Sequence, residues 1–594
     1  MLELRAEQKT IYKLFSELDN YFLIPDYQRP YSWRIDECET LWEDIQNFIF
    51  PNGVLKNFDS AEDVYFLGTI VTFKNSNKET EVIDGQQRLT TLMLLLRAFY
   101  SKYKNMIKVI QGDPAVDNTY ISLSKCIWKS DVFGNIDKNS LKINLDSTDD
   151  YNKNELTTIL KEGKIPATNI SNYANNYKFF VNKINEFANK FANFFSHLPI
   201  RILHNCVLLP ISTKNQEDAL QIFSTLNDRG KPLSDSDIFK SQLYKYFLSI
   251  NQKKPFLEDW ENLTKICKKI FDKTRNDPTD EIFIRYMHCV RAKNNIKTNS
   301  VEGLRKFYEK WGNVKYELLK NKATFEDLKA LVNFWNDIYD QNSERFSNDV
   351  LKQLFILNFA PNNMWTFIVS VYFMSNKNDK ELLDNNKFEL FLKKIVAFVL
   401  ATEFVYPGVS NLKTPLFNEM VEIKKHKEIT FKDYLFSEDD IRSSMEKFNA
   451  SNNKKMTKAI LSWWVYNSNN NQEIQELLNT SEFYDIEHIF PKSKLKFDIL
   501  KNPENVDSLG NKSLLERSIN NVAANFNFQN KRLCYLGKIK PNKATKIVDL
   551  LNMANDPKFA NLTDFTDNEI NERTELIINN FVKHLKDLNL IKIN

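Results

Sequence analysis

A short segment towards the C-terminal end of the chain combines side chains that could activate water and bind a cation. It reads Asp485-Ile486-Glu487-His488-Ile489-Phe490-Pro491, and Leu509-Gly510-Asn511 and Asn520 follow it. Successive side chains of an extended strand leave opposite faces, so Glu487 could hold a metal ion while His488 takes a proton from water. This division of labour predicts a metal-dependent nuclease.

The order of these residues resembles the HNH (ββα-metal) endonucleases, in the form found at the C-terminus of modification-dependent restriction proteins. The resemblance assigns Glu487 to the metal and His488 to proton abstraction. It implies that Asn511 holds the loop bearing His488 and that Asn520, on the next helix, completes the metal site. Two nearby asparagines compete with Asn520 for that role: Asn521 and Asn525. Such oxygen ligands, with waters and a phosphate oxygen, suit Mg²⁺ or Mn²⁺.

A purely structural interpretation of the same segment is that it is a strand end followed by a proline turn, in a chain where Asn is abundant. The joint order of Glu-His, Pro491, Gly510-Asn511 and Asn520 favours the nuclease. Basic residues on both sides of the segment are candidate DNA contacts, although lysine runs are usually solvated faces. These candidates are Lys492, Lys494, Lys531 and Arg532.

A second candidate site lies at Asp84-Gly85-Gln86-Gln87-Arg88, between a predicted strand and a predicted helix. The first backbone N–H groups of a helix and its positive dipole end suit a phosphate, and Gly85 lets the backbone approach closely. Asp84 could be only an N-cap, but that does not explain Gln86, Gln87 and Arg88 together. The chain has no Walker A loop, so this would not be a P-loop site.

A third motif, Ile24 to Trp33, precedes that hairpin and is rich in groups that recognise phosphates and bases. Arg29 could fork onto phosphate oxygens, while Tyr27 and Tyr31 offer flat faces to a base. Taken alone, such a segment is more often a packed turn.

These two motifs, with Phe223 to Ser234, resemble the ParB/sulfiredoxin-like nucleoside triphosphatase domain of the GmrSD family, to which the anti-phage proteins SspE and BrxU are related. The resemblance covers about residues 10–245. It implies binding and hydrolysis of GTP or another nucleoside triphosphate at the residues around Asp84. The residues implied are Asp84, Gly85, Gln86, Gln87 and Arg88, with Arg29, Asn227, Arg229, Tyr27 and Tyr31 as phosphate or wall contacts.

The elements that must position these residues follow from hydrophobic periodicity. Residues 64–74 and 79–83 predict a hairpin, and helical spacing from Leu89 to Tyr100 places the 84–88 motif at a strand-to-helix junction. Val207 to Ile211 predicts another strand, and Ser234 predicts the N-cap of a helix running to about Phe247. From about residue 250 to 440 only helical patterns are present.

We therefore predict an α+β, predominantly helical protein. A ParB/sulfiredoxin-like α/β domain would span residues 1–248, a helical middle domain 249–445 and a C-terminal ββα-metal module 446–594. A chain of 594 residues is too long for a single core, which agrees with several domains.

The amino-acid composition limits the cellular compartments and the binding partners that fit this chain. The 81 basic and 77 acidic residues nearly balance, so any DNA-binding surface must be a local patch. The six cysteines are scattered, which argues against a zinc knuckle or a disulfide framework. The longest apolar run, 395–401, is far shorter than the roughly 20 residues of a membrane helix. We expect a soluble cytoplasmic protein without membrane contact.

The leading hypothesis is a nucleotide-responsive nuclease that cuts or nicks double-stranded DNA in anti-phage defence, with modified phage DNA as the target. One alternative is a nucleotide-controlled DNA-binding sensor with weak or no nuclease activity. Another is a defence nuclease directed at RNA. The sequence leaves open the nucleotide, the DNA modification and the assembly, with a homo-oligomer among the options.

Overall fold

The computed structural model describes residues 5–593, except 26–27, 29–30, 57–62, 76–78, 110–111, 147–149, 166–170, 214–217, 220–221, 223–233, 275, 298–300, 469–483 and 540–541. The chain forms two compact units, Met1–Asp259 and Trp260–Asn594. Each unit has its own helices and its own strands. The predicted division into three domains stays a prediction.

The first unit contains a mixed sheet whose strands run in the order β1-β9-β4-β5-β3-β8, with β2 also paired to β9. Strands β3 and β5 are parallel, as are β3 and β8, so their carboxyl ends lie at one edge. A separate hairpin pairs β6 with β7. The strand bounds are β1 Arg5–Ala6, β2 Lys9–Thr10, β3 Phe22–Pro25, β4 Tyr65–Lys74, β5 Thr80–Asp84, β6 Trp128–Ser130, β7 Ile136–Leu141, β8 Ile143–Asp146 and β9 Cys206–Thr213.

Helices of the first unit cover this sheet. The longest, α3, buries Leu89, Leu92 and Met93 with the rest of its apolar positions, because residues at i, i+3 and i+4 share one helical face. Its bounds and those of its neighbours are α1 Ile11–Ser16, α2 Ile35–Ile49, α3 Gln86–Val109, α4 Pro114–Ile127, α5 Asp150–Glu162, α6 Asn172–Lys190, α7 His197–Asn205 and α8 Asp235–Ser249. The boundary between the units falls within the next helix, α9 Lys253–Phe271.

The second unit is mainly helical, as its apolar spacing predicts. Helices α10, α14 and α16 pack together around a core rich in phenylalanine and leucine. The bounds are α10 Asp280–Lys293, α11 Leu304–Lys310, α12 Lys322–Tyr339, α13 Asn348–Asn358, α14 Trp365–Asn376, α15 Asn385–Val405, α16 Val409–Lys424, α17 Glu438–Glu446, α18 Lys454–Ser468, α19 Arg517–Ala523, α20 Phe528–Tyr535, α21 Val548–Asn555 and α22 Asp567–Asp587.

The second unit also contains a small antiparallel pair, β10 (Tyr484–His488) and β11 (Lys512–Glu516). Their register places His488 opposite Lys512 and Glu487 opposite Ser513. Helix α19 follows β11 directly and packs against both strands. The resulting order, strand, strand and helix, positions the C-terminal candidate residues.

The general part of the predicted fold class is confirmed: the protein is predominantly helical α+β, with a mixed sheet in the N-terminal part. The ParB/sulfiredoxin-like domain and the ββα-metal module stay predictions. The strand-to-helix junction at Asp84 is confirmed as well, because β5 ends there and α3 begins at Gln86. Ser234 caps α8 as predicted, accepting a hydrogen bond from the Asp237 N–H. None of the described helices combines the length and the apolar character that crossing a bilayer requires.

Candidate functional site

His488 is the last residue of β10, and its imidazole is largely buried, with 29% of the side chain exposed. Its Nε2 is shielded from solvent and has no hydrogen-bond partner among the described residues. The nearest acidic atom is Asp507 Oδ1, at 3.9 Å. The imidazole is therefore a potential proton acceptor whose Nε2 side faces a carboxylate.

Burial keeps the imidazole of His488 neutral. Burial is the main cause that lowers its pKa, to about 4, and the ammonium of Lys512 adds to the effect while Asp507 opposes it. A group that must accept a proton is useful only in its unprotonated form. His488 therefore needs no deprotonation before it can act at neutral pH.

Asn511 fixes the backbone that follows His488. Its Oδ1 accepts a hydrogen bond from the Phe490 N–H at 2.6 Å, and its Nδ2 donates to the Phe490 carbonyl at 3.0 Å and to the Val506 carbonyl at 2.9 Å. The side chain is wholly buried. The structure thus brings Asn511 to the backbone that follows His488.

The turn that carries Asn511 is itself held by the last long helix, α22. Arg573 donates to the carbonyls of Gly510 at 2.8 Å and Lys512 at 2.7 Å, and the Gly510 N–H donates to Thr574 Oγ1 at 3.0 Å. A Cβ on Gly510 would overlap the Ile570 carbonyl and Thr574 Oγ1. Only glycine fits this contact between the turn and the helix.

The side chain of Glu487 lies on the face of β10 opposite to His488 and is also buried, with only 3% of it exposed. Its Oε1 accepts hydrogen bonds from Lys531 Nζ at 2.5 Å and from the Tyr535 hydroxyl at 2.8 Å. Lys531 Nζ also donates to the His488 carbonyl at 2.6 Å. Burial raises the pKa of Glu487, while Lys531 opposes that rise. The contacts of Glu487 with Lys531 and Tyr535 therefore join β10 to α20.

The predicted role of Glu487 as a metal ligand does not fit this arrangement. Its carboxylate already has a buried cation as its partner, so a divalent ion would have to displace the Lys531 ammonium. Among the described residues, no three His, Cys, Asp or Glu side chains come close enough together to hold an ion. The predicted dependence on Mg²⁺ or Mn²⁺ therefore stays a prediction.

Asn520, the other predicted metal ligand, lies half-buried on α19, the helix that follows the strand pair. Of its two competitors, Asn521 is exposed. The Oδ1 of Asn525 accepts a hydrogen bond from Ser493 Oγ at 2.7 Å. Asn520 is thus the one of the three that lies partly covered on the helix beside β10 and β11.

The four basic residues predicted to contact DNA are placed very differently. Lys492 is 59% exposed and lies beside Asp507, next to His488. Lys494 pairs with Asp564 at 2.8 Å. Lys531 is wholly buried on Glu487, and Arg532 donates to the carbonyls of Ala554, Phe559 and Ala560. As placed, Lys531 is unavailable to DNA, because burial and pairing with Glu487 keep it inside the protein.

At the N-terminal candidate site, Gly85 makes the turn from β5 into α3. Its φ of +88° lies in the left-handed region, and a Cβ there would be 2.5 Å from Ile70 Cγ2. The two candidate motifs follow the carboxyl ends of the parallel strands β3 and β5. Ligands of α/β sheets commonly bind at such an edge.

Hydrogen bonds connect these two motifs directly. Gln87 Oε1 accepts from the Ser32 N–H at 2.7 Å and the Trp33 N–H at 3.3 Å. Gln28 Nε2 donates to the Ile83 carbonyl at 3.1 Å. The structure therefore brings Gln28 to the end of β5, and Gln87 joins Ser32 and Trp33 to the start of α3.

Arg88 and Tyr31 make protein contacts in this structure. Arg88 donates to the Thr69 carbonyl at 3.0 Å, and burial lowers its pKa while Asp84 opposes that effect. The Tyr31 hydroxyl lies 2.7 Å from Thr91 Oγ1, and its ring stacks on Tyr173 at 4.8 Å. One face of the Tyr31 ring is thus covered by Tyr173, not open to a base. The remaining predicted contacts lie outside the described residues: Tyr27, Arg29, Asn227 and Arg229.

Several residues of these sites carry no signal in the sequence. Asn176 of α6 donates to the Trp33 carbonyl at 2.8 Å and to the Tyr31 hydroxyl at 2.9 Å. Around β10, the unpredicted residues are Asp507, Lys512, Tyr535 and Arg573. Their types are common, and only the packing brings them to the candidate residues.

Comparison with known families gives two matches. Residues 11–244 match the family model for the GmrSD restriction endonuclease, N-terminal domain. Residues 436–580 match the model for the GmrSD restriction endonucleases, C-terminal domain. A comparison with curated proteins found no match. The two matches lie in the predicted order and together cover more than half of the chain, which therefore belongs to the GmrSD restriction endonuclease family.

Proposed function

We propose that this DNA endonuclease cuts or nicks double-stranded DNA at His488, and that a nucleotide bound near Asp84 controls the cut. The observation that carries the proposal is the place of the largely buried His488 imidazole, which lies close to the exposed Lys492 and two residues before a backbone position that Asn511 holds. The restriction family supplies the context of defence.

The proposed reaction begins with a proton transfer from the attacking water to His488. The imidazole accepts that proton while the water oxygen forms a bond to phosphorus. The bond from phosphorus to the oxygen of the departing strand end breaks, and that oxygen leaves with the bonding electrons and takes up a proton from solvent. Asn511 acts by fixing the backbone after His488, and the exposed Lys492 would contact a DNA phosphate.

A bound Mg²⁺ or Mn²⁺ would supply positive charge to the phosphate and to the leaving oxygen. Asn520 is the candidate ligand that the structure leaves beside the strand pair, since Glu487 already holds Lys531. An ion with few protein ligands, several waters and a phosphate oxygen is typical of Mg²⁺.

The proposal predicts that the purified chain converts supercoiled plasmid to open-circular or linear DNA when Mg²⁺ or Mn²⁺ is present, and that EDTA stops the reaction. Parallel reactions with modified phage DNA and with RNA identify the substrate. Cutting that persists in EDTA would rule out the metal, and cutting of RNA alone would support the RNA-directed alternative.

We also propose that the N-terminal motifs bind and hydrolyse GTP or another nucleoside triphosphate. The supporting observation is that Gln87, in the first turn of α3 and three positions after Asp84, accepts hydrogen bonds from the backbone of Ser32 and Trp33. The N-terminus of a helix suits a phosphate group.

Asp84→Ala is expected to reduce nucleotide hydrolysis by about 100-fold or more, if Asp84 lies in the reacting site. Phosphate release is the measurement, with GTP, ATP, UTP and CTP compared. Asp137→Ala is the matched control, because Asp137 is an exposed carboxylate on the separate hairpin. Unchanged hydrolysis in Asp84→Ala would contradict this placement of the nucleotide.

A second candidate function is a nucleotide-controlled DNA-binding sensor with weak nuclease activity. The contact between Glu487 and Lys531 favours it, because a residue expected to hold the metal is engaged by a lysine. DNA binding without nicking, in the plasmid assay above, would support this second candidate.

A further inference from the structure

The carboxylate of Asp507 lies at the end of a short 3-10 helix, Pro503–Asp507, and faces the imidazole of His488. Its own position is fixed from several sides. Asp507 Oδ1 accepts hydrogen bonds from the Ser451 hydroxyl and from Lys512 Nζ, the latter at 3.4 Å, and Oδ2 lies 3.5 Å from Lys492 Nζ. A carboxylate held by three donors cannot easily turn away from its neighbour.

Lys512, which contacts Asp507, is itself bonded on several sides. Its side chain is wholly buried, and its ammonium also donates to the Val506 carbonyl at 2.9 Å and to Ser451 Oγ at 3.1 Å. Burial by itself would raise the pKa of Asp507, but the Ser451 hydroxyl and Lys512 bring it below its ordinary value. Asp507 is therefore an anion at neutral pH.

His488 supplies the complementary half of this contact. Its Nε2 is buried and has no partner among the described residues, and Asp507 Oδ1 is 3.9 Å away. That separation is too long for a hydrogen bond. Contacts of catalytic groups are often long in the absence of substrate and shorten when it binds.

We propose that Asp507 is a positioning residue for His488, an inference that rests on the proposed nuclease function. An acceptor opposite Nε2 favours the tautomer that carries its proton on Nε2, which leaves the Nδ1 lone pair for the attacking water. The same carboxylate stabilises the imidazolium that forms when the water proton is transferred. A carboxylate that orients a base in this way need not gain the proton itself.

The test is the substitution Asp507→Asn in the full chain, which removes the charge and keeps an oxygen for Ser451 and Lys512. We expect single-turnover cleavage of plasmid DNA to slow by about 100-fold, with little change in the DNA concentration for half-maximal rate. Asp564→Asn is the matched control, because both carboxylates are 17% exposed and both pair with a lysine of the 492–497 segment.

A spectroscopic measurement separates positioning from a general loss of structure. In the ¹⁵N spectrum of the histidine side chains, His488 is expected to be the Nε2–H tautomer, and its signals are assigned by their loss in His488→Gln. Asp507→Ala is expected to give a mixture of tautomers while circular dichroism stays unchanged. An unchanged tautomer in Asp507→Ala would overturn the inference.

Two further outcomes are distinguishable. If His488→Gln abolishes cleavage but Asp507→Asn cleaves at the normal rate, the positioning role is wrong and the proposed function stands. If His488→Gln still cleaves, the proposed function fails, and the inference with it. Loss of Mn²⁺ binding in Asp507→Asn, measured by calorimetry, would also overturn the inference, because Asp507 would then be a metal ligand.

Discussion

His488→Ala is expected to reduce DNA cleavage by at least about 1,000-fold, because it removes the group proposed to accept the water proton. Plasmid nicking under single-turnover conditions measures this loss. Hydrolysis of nucleotide by the same preparation is expected to remain largely intact, because the two candidate sites lie in different units of the chain. Loss of both activities would contradict independent sites.

A histidine elsewhere in the second unit provides the control for this substitution. His426 is exposed and has a φ of 57°, a conformation that asparagine tolerates better than most residues. His426→Asn is therefore expected to cleave DNA at the normal rate. Equal losses in the two variants would show that the assay reports folding instead of chemistry.

The pH dependence gives a second measurement on His488. An ordinary histidine, with a pKa of about 6.5, would lose its basic form as the pH falls through that value. Because burial lowers the pKa of His488 to about 4, its neutral form persists to much lower pH. Single-turnover cleavage should therefore stay level from about pH 8 to pH 5. A fall centred near pH 6.5 would contradict the buried, neutral imidazole.

Lys531→Met is expected to lower the free energy of unfolding by about 3–5 kcal/mol, because it leaves the Glu487 carboxylate buried without its cation. Thermal and urea unfolding measure the change. The double substitution Glu487→Gln with Lys531→Met should recover much of the loss, since no buried charge remains. If adding Glu487→Gln to Lys531→Met recovers none of the lost stability, the loss does not come from an unpaired buried charge.

An exposed ion pair of the same unit provides the control. Lys558 and Glu572 are in contact with 56% and 62% of their side chains exposed, so Lys558→Met should change stability little.

Glu487→Gln alone separates the two roles of the carboxylate. If Glu487 only anchors the strand to α20, Mn²⁺ binding should be unchanged, and weaker Mn²⁺ binding would restore it as a metal ligand.

Both buried lysines of this region show why basic residues near a nuclease motif need not contact DNA. Lys512 and Lys531 contact opposite sides of β10, one through Asp507 and the other through Glu487. Each compensates a carboxylate close to His488, and of the two carboxylates Glu487 is buried while Asp507 is partly exposed. Lysines near the proposed cleavage site can thus stabilise the fold without contacting DNA. Lys492, by contrast, is exposed beside Asp507.

Local features of the chain could be predicted from the sequence because they depend on neighbouring residues. Strands rich in β-branched and aromatic residues and the helical spacing that follows them located the junction at Asp84, and Gly85 makes the turn there with its positive φ. Glu487 and His488 occupy adjacent positions of one strand. Their side chains therefore lie on opposite faces of that strand and contact different residues.

The partners of these residues were decided by the tertiary structure alone. Lys531 and Tyr535 reach Glu487 from a helix more than forty positions away, and Asp507 reaches His488 from a separate turn. No local pattern distinguishes a lysine that meets DNA from one that is buried on a carboxylate, because the difference lies in how α20 packs against β10. The sequence by itself determined the family and the side chains that are capable of acid-base or binding chemistry. The packing of the tertiary structure decided which of these side chains contact each other, since such contacts depend on distance in space and on burial.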